Sequence, residues 1–99
     1  MPRPHKCRKV TAEPRAYYFK PRAVPLTELE EVTLRLDEFQ ALKYSDVDGK
    51  EQAEAAEAMR ISRQTFGNIL ASARRKLADA VVNGKALKIE NGQPEGKRL

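Results

Sequence analysis

Gln52–Leu77 reads QAEAAEAMRISRQTFGNILASARRKL. Its spacing predicts two helices joined by a tight turn. In the first, from about Lys50 to Met59, residues Gln52, Ala55, Ala56 and Met59 recur at intervals of three and four and share one face. Glu51, Glu54 and Glu57 face outward. Ser62 is a good N-cap for a longer helix running to about Val82. That helix has an apolar stripe of Phe66, Ile69, Leu70, Ala73, Leu77, Ala80 and Val81, and Asn83-Gly84 closes it. Ala55 and Ala56 are small enough for two helices to cross at close range. Ile61 is the one apolar residue of the turn Arg60-Ile61-Ser62 and is expected to plug into the core. Together these features predict a helix-turn-helix. Arg60 stands where such turns favour glycine, because the chain adopts φ > 0 there. A non-glycine residue in that conformation costs about 1–2 kcal/mol.

On a helical wheel, Gln64, Asn68, Ala71 and Arg75 point directly away from the apolar stripe. Arg63, Gly67 and Arg74 flank them on one side, and Thr65, Ser72 and Lys76 on the other. Gln and Asn pair bidentately with adenine and Arg with guanine in a major groove. Ser62 and the free N–H groups of the first turn suit a phosphate. Arg74, Arg75 and Lys76 lie further along and are expected to hold backbone phosphate. Gly67 lowers helix propensity, and a small residue there admits close approach. The bland alternatives are a solvated polar face and an ordinary helical hairpin.

Outward from this core, five of the six prolines fall within residues 1–25 (2, 4, 14, 21 and 25), which excludes a long helix there. Met1–Val10 reads as an extended basic arm, with Arg3, Lys6, Arg8, Lys9 and the turn residue Arg60 as secondary DNA contacts. A solubilising tail is the other reading of the arm. Tyr17-Tyr18-Phe19 suggests a short strand near 17–20 or a strip packed on the core. Thr27 and Glu30 have capping-box spacing for a short helix, while Val32–Leu36 alternates as an extended stretch does. Asp37 is the expected N-cap of a helix reaching Tyr44 or Val47, with Gln40 at its third position and Phe39, Leu42 and Tyr44 buried. Asp48-Gly49 stops it. Ala86–Ile89 is a short strand. The chain thus divides into a basic Pro-rich arm (1–25), a helix-turn-helix domain (26–90) and a flexible tail (91–99). The fold class is mainly α.

The net charge of +5 is unevenly spread. Residues 1–22 carry a net +6, residues 23–58 a net −7, and residues 59–76 a net +5 with no acid at all. One positive block therefore coincides with the second helix of the motif, a directional footprint for a polyanion. No apolar run approaches the roughly 20 residues that span a bilayer. The basic N-terminus lacks the apolar stretch of a signal peptide, and the single cysteine, Cys7, excludes an intrachain disulfide. A cytoplasmic protein is expected. The only histidine, His5, lies in the arm. His5 and Cys7 offer two metal ligands where a closed site takes four, so no cofactor or metal is expected. Neither a Gly-rich phosphate loop nor a nucleophile–base pair is present, and no enzyme is expected.

The stretch LDEFQALKYSDVDGKEQAEAAEAMRISRQTFGNILASARRKLADA resembles region 4 of sigma-70-type transcription factors, which reads the −35 promoter element. The opening MPRPHKC, the YYFKP and VPL segments and the closing NGKALKIENG resemble a prokaryotic family, the domain of unknown function numbered one-three-four. The resemblance spans roughly residues 1–92, and it implies a DNA-binding protein. It departs at Arg60, where glycine is usual, and at His5, in an opening commonly more basic. The expected partners are double-stranded DNA, a second copy in a homodimer, and RNA polymerase. The expected function is sequence-specific transcription regulation. The rivals are a protein-interaction module docking on RNA polymerase or another regulator, and a redox- or metal-responsive regulator acting through His5 and Cys7.

Overall fold

The computed structural model describes residues 9–90. In chain order it holds β1 (Tyr18–Phe19), a 3-10 turn (Leu26–Glu28), β2 (Glu31–Leu34), α1 (Leu36–Leu42), α2 (Gln52–Met59), α3 (Arg63–Asn83) and β3 (Ala86–Ile89). Alpha helix predominates, as expected, and a small three-stranded sheet accompanies it. The sheet order is β1-β3-β2, with β1 antiparallel and β2 parallel to β3. The strands expected near 17–20 and 86–89 are therefore present, and Glu31–Leu34 adds a third. Parallel pairing requires a long crossover, and all three α-helices lie in the segment between β2 and β3.

Helix α3, at 21 residues, is about 30 Å long. Its first half packs Phe66, Ile69 and Leu70 with Ala55, Ala56 and Met59 of α2 and Ala41 of α1. Its second half joins Ala73 and Ala80 to Leu34, Leu87 and Ile89 of the sheet. Leu42 touches both clusters. The long helix therefore connects a helical layer to a sheet layer.

Several local expectations need correction. Thr27 caps no helix: Pro25 precedes a single 3-10 turn, closed by the Leu29 N–H donating to the Leu26 carbonyl. Helix α1 begins before Asp37, and Arg35 is its N-cap. The Glu38 carboxylate reaches back to the Arg35 N–H at 2.7 Å, so the reciprocal half of a capping box forms on a residue without a capping side chain. Gln40 is buried, and its Oε1 accepts the N–H groups of Thr11 and Ala12 at 2.8 and 2.9 Å. Lys43–Val47 continue α1 as a π-helical turn. Helix α2 starts at Gln52, after Gly49 at φ 75°. Phe39, Leu42 and Tyr44 are only half-buried. Leu77 and Val81 belong to the predicted stripe but remain 39% and 74% exposed, because none of the described residues covers α3 on that side at its C-terminal end.

The N-terminal segment is docked from Lys9 onward. The Lys9 N–H donates to the Met59 carbonyl at 2.9 Å, Val10 packs against the helical core and Pro14 is buried. Met1–Arg8 and the tail 91–99 lie outside the described residues.

Candidate nucleic-acid interface

Helices α2 and α3 are separated by Arg60, Ile61 and Ser62. Arg60 adopts the left-handed conformation, φ 62° and ψ 43°, and its N–H donates to the Glu57 carbonyl at 3.0 Å. The positive φ expected at this position is therefore present on a side chain that pays for it sterically. Half-buried Ile61 packs on the helical core. Ser62 caps α3: its Oγ accepts the Thr65 N–H at 3.0 Å and donates to Thr65 Oγ1 at 2.9 Å.

The outward line of α3 has a definite composition. Arg63, Gln64, Asn68, Ala71 and Arg75 are all exposed. The side chains of Arg63, Gln64, Asn68 and Arg75 have no partner among the described residues. Thr65 is occupied with the cap. Gly67 is not on the open face: a Cβ built there lies 3.4 Å from Gln52 Oε1 of α2, an ordinary contact. Its smallness belongs to the helix–helix crossing. Gly67→Ala is therefore expected to stabilise the protein by about 1 kcal/mol through helix propensity, seen as a rise of about 5 °C in thermal unfolding.

Two of the basic residues on α3 are held by acids of this chain. Arg74 donates to both Asp46 oxygens, at 2.6 and 3.1 Å, and to Ser45 Oγ at 3.3 Å. The bonds from Arg74 hold Asp46 below the ordinary aspartate range, against a smaller opposing effect of burial. Lys76 donates to Glu38 Oε1 at 2.9 Å, and Ser72 donates to Glu38 Oε2 at 2.6 Å. Glu38 is fully buried. Burial pushes its pKa up, but the bonds from Ser72, the Arg35 backbone and Lys76 outweigh it and leave the pKa lowered. This carboxylate, which pins α1 to α3, was absent from the sequence-based site. Ser72 and Lys76 lie one turn apart on a polar seam, the one signal that could have suggested a buried acid opposite them.

Of the secondary contacts, Lys9 is exposed beside the end of α2, while Arg3, Lys6 and Arg8 lie outside the described residues, as do His5 and Cys7. No cluster of three or more potential metal ligands occurs among the described residues. No described helix is long and apolar enough to cross a membrane.

A family profile described as "Protein of unknown function DUF134" matches residues 1–97. The chain belongs to this family. A UPF0251 protein of Thermoanaerobacter pseudethanolicus is 52% identical over 92 residues, covering 93% of this chain and 78% of its own. A UPF0251 protein of Dehalococcoides mccartyi is 53% identical over 92 residues, again 93% of this chain and 79% of the relative. One from Moorella thermoacetica is 54% identical over the same length, which is 62% of that protein. No solved structure matches the chain.

Proposed function

We propose that this DUF134 protein is a sequence-specific DNA-binding regulator that lays the first turns of α3 in the major groove, as a sigma region-4-like helix-turn-helix. The observation that carries the reading is the exposed outward line Arg63, Gln64, Asn68 and Arg75, unpaired among the described residues, in a run from Met59 to Lys76 that contains no acid. Side chains already bonded within the protein would have to break those bonds to reach a base edge, and these four need not. Arg74 and Lys76 are bonded to Asp46 and Glu38, so base and phosphate contacts fall first to Arg63, Arg75 and the Ser62 end of the helix. Lys9 supports a second contact. Its backbone N–H donates to the carbonyl of Met59, the residue before Arg60, so Lys9 itself sits at the end of α2 next to the turn. Arg3, Lys6 and Arg8 precede Lys9 in the sequence.

Selection of bound duplexes from a random library tests this reading directly. The expected result is a defined site whose affinity falls with salt, the slope of log K against log salt being about −0.9 per phosphate neutralised. Enrichment of no sequence, or affinity independent of salt, would refute it.

A further inference from the structure

The C-terminal half of α3 bears an apolar groove of about 500 Å³, lined among others by Phe19, Leu77, Val81 and Leu87. Phe19, Leu77 and Val81 are 52%, 39% and 74% exposed, so large apolar side chains are gathered here instead of scattered. Two lysines, Lys20 and Lys85, also line the groove, and none of the described residues lining it is a carboxylate. Lys85 is held by Asp79 at 3.1 Å and Glu30 at 3.5 Å. Lys20 donates only to the neighbouring Pro21 carbonyl, at 2.9 Å, and has no acidic partner among the described residues. Phe19, Leu77 and Leu87 also line a second groove of about 610 Å³, so an apolar surface continues beyond the first.

Charge and size choose the occupant. Among the described residues the Lys20 ammonium has no counter-ion and the apolar groove it lines holds no acid, which complements an amphiphile with an anionic head. The volume lies in the range of small-molecule sites, roughly 300–1,000 Å³. A protein partner would need on the order of 1,000 Å² of total interface, whereas a groove of about 500 Å³ matches a small molecule. A second copy fits poorly with the proposed DNA reading. Leu77 and Val81 lie on the side of α3 roughly opposite Gln64, Asn68, Ala71 and Arg75, so copies joined there would turn their reading faces away from each other.

We propose that this groove binds an amphiphilic monocarboxylate, its hydrocarbon chain on Phe19, Leu77 and Val81 and its carboxylate on the Lys20 ammonium. Titration calorimetry of the full chain with sodium decanoate tests the assignment and contains no DNA, so its outcome is separate from that of the DNA reading. The expected result is one site with Kd on the order of 100 µM. Decanol and decylammonium should bind at least about tenfold more weakly, as should decanoate to Lys20→Glu or Val81→Asp. Both altered side chains are exposed, and unchanged thermal unfolding of the variants confirms that the fold is kept. Absence of binding at about 1 mM decanoate, equal affinity for decylammonium, or indifference to both substitutions would overturn the proposal. So would a dimer in sedimentation that Val81→Asp dissociates, since the groove would then be covered by a second copy.

Discussion

Replacing Arg63, Asn68 and Arg75 together by alanine is expected to abolish selective binding to duplex DNA while the protein remains folded. Each of the three side chains is exposed and unpaired within the described chain, so truncation removes little from the native state. Each good contact to a base edge is worth about 1–3 kcal/mol of discrimination. The two base-edge losses, at Arg63 and Asn68, correspond to at least about thirtyfold in the preference for the selected site, while the loss of Arg75 removes a phosphate contact and weakens binding to any duplex. Fluorescence anisotropy with the selected duplex and a scrambled one measures the change, and circular dichroism confirms the helices. Lys88→Ala serves as the control, because Lys88 is an exposed cation on β3, away from this face. Selectivity surviving the triple substitution, or lost equally on Lys88→Ala, would remove α3 from the mechanism.

The second large effect is on stability. Glu38→Ala is expected to cost about 3 kcal/mol, the lower end of the range for removing one partner of a buried ion pair. It leaves the Arg35 N–H, Ser72 Oγ and Lys76 Nζ without their shared acceptor. Lys76 is still 28% exposed, and water recovers part of the loss there. Native domains of this size have about 5–15 kcal/mol in total, and unfolding is expected to fall by about 15 °C. Glu38→Gln separates shape from charge, since the amide oxygen still accepts from Arg35 while the ion pair with Lys76 is gone. A fall of only a degree or two in Glu38→Ala would show that the carboxylate is not a structural hub. The pH dependence has a definite sign. The folded pKa of Glu38 lies below its ordinary 4.5, so its stabilisation is complete above the unfolded value and is lost as pH falls through the folded one. Asp46, also lowered, acts in the same direction but at an exposed site, where the contribution is small. Glu38→Gln should therefore flatten the loss of stability below about pH 4.5.

The α2–α3 pair was legible in the residues because its signals are local. Ser62 caps, Gly84 ends the helix with φ 66°, and the buried positions 66, 69, 70 and 73 follow the helical period. The outward line Gln64, Asn68, Ala71 and Arg75 is the geometric complement of that stripe, so it was readable for the same reason. The roles of Arg74, Lys76 and Gly67 were not. Their partners Asp46, Glu38 and Gln52 come from other helices, and wheel position does not say which neighbour a flanking side chain will meet. The start of α1 was misplaced because Asp37 is the better capping residue by type, whereas the cap that formed uses only the Arg35 backbone and the Glu38 side chain.

Read alone, the chain determined its helices, the face that α3 buries and the face it leaves polar, since helical periodicity and capping act within a few residues. Tertiary structure decided the rest. It placed β3 between two strands that precede it by dozens of residues, one parallel and one antiparallel. It tied Lys9 to the end of α2, paired two of the basic residues of α3 with internal acids, and left Leu77 and Val81 uncovered by any described residue. The physical reason is common to all four: strand partners, ion pairs and burial depend on what lies across space, and composition constrains such distant contacts only weakly.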